Sequence, residues 1–161
     1  TNGYSLARHV IVDRLGLGTD ATPDGLDGAV GEALLRPHRS YLRPLRPLLA
    51  EADTPIKGMA HITGGGLTEN LPRVLPDDLG AMIDLQRIPA LPIMAWLAQA
   101  GGISEEEMLK TFNCGIGMIL AVEPAQVAAV TAALSAQGMS PVRLGEVIPG
   151  QGVSYMGQLP F

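Results

Sequence analysis

Apolar positions recur at helical spacing from the start of the chain. Leu6, Val10, Ile11 and Leu15 form one stripe from Tyr4, and Gly16 and Gly18 end it where a left-handed residue is wanted. A weaker stripe of Ala29, Val30, Ala33 and Leu34 predicts a second helix over 27–35, closed by Pro37. Residues 39–43 read as extended, which sets Arg39, Tyr41 and Arg43 on one face at the two-residue period, and a helix follows over 45–52. Strands are predicted over 56–62, 79–85, 113–122 and 142–148. The third is a near-continuous apolar run whose Gly115 and Gly117 signal a bend or a close backbone approach. Helices are predicted over 67–75, limited by Pro72, and from Pro92 to the glycines at 101–102. Two more cover 105–112, where Ser104 and Glu107 have the form of a capping box, and the segment from Pro124 to Gly138, with Val127, Val130 and Leu134 on one face. Residues 153–156 add an edge strand. Short strands separated by helices, in no strict alternation, predict an α+β domain with a mixed β-sheet flanked by helices.

One junction in this pattern carries most of the candidate chemistry. His61-Ile-Thr-Gly-Gly-Gly-Leu-Thr-Glu-Asn70 lies where the strand over 56–62 hands over to a helix. Three adjacent glycines would weaken a strand interior, but at a strand-to-helix turn they permit positive φ and let a ligand approach the backbone. Two readings follow: an anion site, with phosphate as the natural ligand, or a turn that binds nothing. Inside a strand His61 and Thr63 project to the same side, which sets an imidazole and a hydroxyl beside the glycine amides. A histidine next to an anion can donate a hydrogen bond or shuttle a proton near neutral pH; it can equally be a structural residue. Thr1 or Asn2 can cap the first helix, which makes its start a second position for an anion, or a plain cap.

Composition narrows the choices. The chain has 161 residues, enough for one core that removes roughly two-thirds of the unfolded surface from water. It is 47% apolar and 17% charged, with a net charge of -5 and few aromatics, which argues against nucleic acid as a partner. A basic island, Arg36, His38, Arg39, Arg43 and Arg46, stands out against that balance and could meet an anion, another domain or only solvent. The single Cys114 fits a reducing compartment, and no apolar run is long enough for a membrane span, so a cytoplasmic location is expected. His9, His38 and His61 have no metal-ligand spacing, so no metal site is expected. Leu67 and Thr68 stand where a phosphate-binding loop of the Walker type needs Lys and Ser or Thr, and no Ser sits in a nucleophile-elbow context.

The run from His61 to Pro76, continuing Asn70 with Leu-Pro-Arg-Val-Leu-Pro, closely resembles the signature of the phosphoribosylformylglycinamidine cyclo-ligases, also called aminoimidazole ribonucleotide synthetases, of purine biosynthesis. Thr1-Asn-Gly-Tyr-Ser-Leu6, Phe112-Asn-Cys-Gly-Ile-Gly-Met118 and Leu144-Gly-Glu-Val-Ile148 resemble further family segments in the same order. The resemblance implies the C-terminal half of a two-domain enzyme, whose N-terminal half supplies most of the ATP and Mg2+ site and the main homodimer contact. No cofactor would be required by this part alone. The implied substrate is a small ribonucleotide, formylglycinamidine ribonucleotide, whose amide oxygen is phosphorylated before ring closure. On that basis His61 is the catalytic candidate. Thr63, Gly64, Gly65 and Gly66 would hold a phosphate, with Glu69 and Asn70 in the same binding set and Asn2 and Gly3 lining the groove between the domains.

Departures from the family pattern are also visible. A functional histidine that usually precedes the Asn-Gly helix start would lie before Thr1, so the chain is expected to be part of something longer. His38 stands where Thr is common, and Cys114 replaces a usual Met. Related enzymes share the fold and similar glycine motifs: the amidotransferase of the preceding purine step, selenide water dikinase and thiamine-phosphate kinase. A non-catalytic anion-binding or interaction module is the alternative of a different class.

Overall fold

The computed structural model describes residues 2–161. Helix α1 (Tyr4–Arg8) passes into a π-helical segment, His9–Arg14; of the predicted stripe Val10 and Ile11 are buried, together with Ala7, while Leu6 is half-buried and Leu15 is exposed. Helix α2 (Val30–Leu34) is shorter than expected, with the Glu32 carboxylate accepting from the Ala29 amide at 3.3 Å at its start. The extended segment expected over 39–43 is not formed. Arg43 belongs instead to α3 (Leu42–Leu49), so Arg39, Tyr41 and Arg43 share no strand face. Two prolines fit inside that helix because Pro44 falls in the first turn, where a missing N–H has no partner to lose, and only Pro47 removes an interior bond. Helix α3 buries Pro44, Leu45 and Leu48 and leaves Arg43 and Arg46 in solvent.

Strands β1 (Ile56–His61) and β3 (Met118–Val122) form an antiparallel ladder that sets His61 opposite Met118. Residues 113–117, expected as the first half of β3, are a turn, with Cys114 at φ 49° and Gly115 at φ 92°. A second sheet is built on β2 (Leu79–Asp84), which pairs antiparallel with β4 (Gly145–Pro149) and parallel with β5 (Gly152–Met156). The mixed sheet of the α+β expectation is this three-stranded one, and β1–β3 is a separate two-stranded ladder. Helices α4 (Gly66–Asn70), α5 (Pro92–Gly101), α6 (Glu105–Thr111) and α7 (Val127–Ala136) complete the chain.

The ladder divides two cores between its faces by the two-residue period. Ile119 and its partner Ala60 pack into the larger core with Ile62, Leu67, Leu97 and Met108. Met118, Leu120 and Val122 face the other way, onto a smaller core of Leu45, Leu48, Val130 and Leu134 from α3 and α7. Cross-strand partners share a face, so His61, opposite Met118, lies on the α3 side. A bulge between Ile56 and Gly58 lets Ile56 join that side as well.

Candidate functional site

The glycine turn is held together from inside. Strand β1 stops at His61; Ile62 is fully buried and donates its amide to the Gly117 carbonyl at 3.0 Å. The chain then reverses through Thr63, Gly64 and Gly65, and the Gly66 amide donates to the Thr63 carbonyl at 3.0 Å. Gly65 and Gly66 take φ of 90° and 55° at the start of α4. A side chain on Gly66 would collide with the Leu109 carbonyl and stand 2.9 Å from that of Phe112, so here the backbone of α4 lies directly on the end of α6. Asn70 is only 6% exposed. Its Nδ2 donates to the Gly64 carbonyl at 2.9 Å and the Gly66 carbonyl at 2.8 Å, and its Oδ1 accepts from Thr63 Oγ1 at 3.4 Å and from Arg73 at 3.3 Å. The geometry therefore gives Asn70 the work of shaping the turn. Glu69 is solvent-exposed, folds back over Gly65, and stands 3.6 Å from the Arg73 guanidinium.

The start of α1 reaches the same place. Asn2 lies against the turn, its Cγ 3.7 Å from where a Gly64 side chain would begin. Gly3 occupies the N-cap position of α1 at φ 81° with no side-chain cap bond, and a side chain there would collide with the Phe112 ring. The N-cap position falls on Gly3, one residue after Asn2, and Thr1 lies outside the described residues. With a strand, a braced glycine turn and a glycine-started helix converging, comparison with known families becomes decisive: the chain matches AIR synthase related protein, C-terminal domain, over residues 1–157. It belongs to that family. The family occurs in ATP-using enzymes.

In this AIR synthase related C-terminal domain, His61 does not share its surroundings with Thr63. The strand ends before the two-residue period can carry Thr63 to the same side, and Thr63 turns toward Asn70. His61 meets His38 instead, with their Nε2 atoms 3.3 Å apart and the ring planes inclined by 64°. His38 also lies edge-on to Tyr41, ring centroids 5.6 Å apart. Gly117 makes room for both, since a side chain there would collide with the Tyr41 hydroxyl and stand 2.8 Å from His38 Cε1. Partial burial and the neighbouring His61 hold His38 below the usual imidazole range. Burial raises the Tyr41 phenol, against the opposing pull of Arg39.

A cleft of ≈ 1190 Å³ opens between the two sheets, with His38, Tyr41 and Asn2 on its wall together with Asn113 and Arg143. Thr63, Gly64, Gly65, Gly66 and His61 do not line it; Asn2, His38, Phe112 and Gly117 touch both the cleft and the turn region. Sequence reasoning missed three contributors. The sequence sets His38 and Tyr41 on a basic segment that could meet an anion, another domain or only solvent, and Tyr155 on an edge strand, with no sign of the contacts that these three make. Tyr155 bonds Thr68 through the two hydroxyls at 2.8 Å and ties α4 to β5; its phenol is raised, chiefly by burial. The one available signal was Gly117, whose missing side chain marks where His38 and Tyr41 arrive. Among the described residues no helix is long and apolar enough to cross a membrane.

Proposed function

We propose that this domain is the C-terminal half of a phosphoribosylformylglycinamidine cyclo-ligase. It would act in a groove shared with an N-terminal domain of the same polypeptide, which also makes the homodimer. The observation that carries the reading is the His61 to Pro76 run, whose glycines form a tight strand-to-helix turn with Asn2 against it and His61 at its entrance. In the reaction, ATP phosphorylates the amide oxygen of formylglycinamidine ribonucleotide, and an amidine nitrogen closes the imidazole ring as inorganic phosphate leaves. Among the described residues no three His, Cys, Asp or Glu side chains converge on a metal position, so ligands for Mg2+ would come from the N-terminal domain.

The domain's own residues would bind and orient. Backbone amides of Gly64 and Gly65, and the Thr63 hydroxyl once it turns from Asn70, would hold a phosphate, each charge-assisted bond contributing about 1.5–3 kcal/mol, while Gly66, whose own amide bonds the Thr63 carbonyl, would fix the shape of the phosphate turn. Asn70 keeps that turn in shape. Glu69, lying over Gly65, would repel the phosphate and has Arg73 at hand to receive it as it swings away. Asn2 and Gly3 would line the groove, and His61 would move a proton or polarise the amide. The reaction would run in the cytoplasm.

The test uses protein that includes the N-terminal domain, supplied with formylglycinamidine ribonucleotide, ATP and Mg2+. Aminoimidazole ribonucleotide should form with equimolar ADP and phosphate, and the 161-residue chain alone should form none. Turnover only of formylglycinamide ribonucleotide with glutamine, or only of selenide, would move the protein to a sister activity. Turnover of none would leave an anion-binding module.

A further inference from the structure

We propose that His38 and His61 together bind a divalent transition metal of the zinc type. Spacing along the chain gives no hint of this, since the two residues lie 23 positions apart; the fold alone brings their Nε2 atoms to 3.3 Å. Two imidazole nitrogens on one zinc ion, each about 2.0–2.1 Å from it at a tetrahedral angle, stand about 3.3–3.4 Å from one another. The observed separation is thus the edge of such a tetrahedron. The ring centroids are 5.2 Å apart, so the two nitrogens lead the approach of the rings. Without metal one Nε2 donates to the other across this contact; metal binding would move that proton to the donor ring's Nδ1, which makes no hydrogen bond to the described residues, so that both Nε2 lone pairs face the ion.

The pair is also held in advance. His61 is fixed by the pairing of β1 with β3, and His38 rests against Gly117 beside Tyr41. Two imidazoles select zinc, cobalt, nickel or copper over magnesium, which demands oxygen ligands in an octahedron. No third His, Cys or carboxylate joins the pair among the described residues, so the remaining coordination positions fall to water or an anion. His9 provides an internal control: it stands 3.2 Å from Asp13 on the π-helical turn, exposed and remote in sequence from the pair.

Titration of the purified chain with Zn2+ in phosphate-free buffer, followed by calorimetry and by imidazole NMR resonances, decides the matter independently of any enzymatic activity. One equivalent should bind and should move the resonances of His38 and His61 while leaving those of His9 in place. His38→Thr and His61→Gln, shown to be folded by circular dichroism, should each lose at least roughly tenfold in affinity, and His9→Gln should lose none. Co2+ should give visible absorption bands that disappear in His38→Thr. The proposal fails if the His38 and His61 resonances do not respond to Zn2+, if His38→Thr binds as tightly as wild type, or if His9→Gln removes the binding.

Discussion

Asn70 Nδ2 stands 2.8 Å from the carbonyl oxygen of Gly66, four residues earlier in its own short helix. The same amide group reaches the Gly64 carbonyl at 2.9 Å, so one buried side chain closes the turn that the three glycines open. The arrangement makes the turn a fixed object before any ligand arrives.

Asn70→Ala should therefore destabilise the fold by about 1–3 kcal/mol, since it removes the buried donor that ties the Gly64 and Gly66 carbonyls together. Asn70→Asp should cost more, because a carboxylate would face the same carbonyls as an acceptor against acceptors. Urea unfolding of the two variants beside wild type measures both, and equal midpoints for all three would refute the bracing role.

Neighbouring glycines should differ. Gly66→Ala combines positive-φ strain with a collision against the Leu109 and Phe112 carbonyls, which cannot move out of the way, and should cost roughly 2–4 kcal/mol. Gly65→Ala carries the strain and meets Glu69, whose carboxylate can swing away but whose Cβ, 2.7 Å off, must shift slightly with the helix; it should cost about 1–3 kcal/mol, less than Gly66→Ala, where fixed carbonyls stand in the way. Melting temperatures in the reverse order would contradict this account of the turn.

The contrast shows what was legible before the structure. Hydrophobic period and punctuation placed β1, β2, α5, α6 and α7 close to where they lie, because Pro92, Ser104 and Gly138 mark boundaries by local chemistry. Pairing was not legible. Alternation in residues 118–122 shows that two faces exist but not which partner covers each, so the separation of β1–β3 from the mixed sheet came as a correction. Residues 39–43 failed for a local reason: prolines read as helix breakers are harmless in a first turn. At the site, the glycine run was visible as a strand-to-helix turn. The meeting of His61 with His38 was not, since it depends on a contact between β1 and a segment with no regular structure.

Cys114 offers a prediction on pH. It is fully buried in a left-handed backbone conformation, and burial pushes its thiol from 9.0 up to about 12. The folded state therefore resists thiolate formation where the unfolded chain does not. This penalty is absent below about pH 9 and grows as pH rises from there toward 12, so stability should fall over that window, and Cys114→Ala should flatten the fall. A disulfide thiol reagent should leave the native thiol unmodified at neutral pH and label it on unfolding. Rapid labelling of the native protein would contradict the buried, protonated state.

The central claim is that His61, at the entrance to the glycine turn, acts in cyclo-ligase chemistry. The most direct measurement is kcat for aminoimidazole ribonucleotide formation by His61→Gln beside wild type, both containing the N-terminal domain and both shown to be folded. The account predicts that kcat falls by about 10²–10⁴-fold in the variant; equal kcat in the two proteins would contradict it.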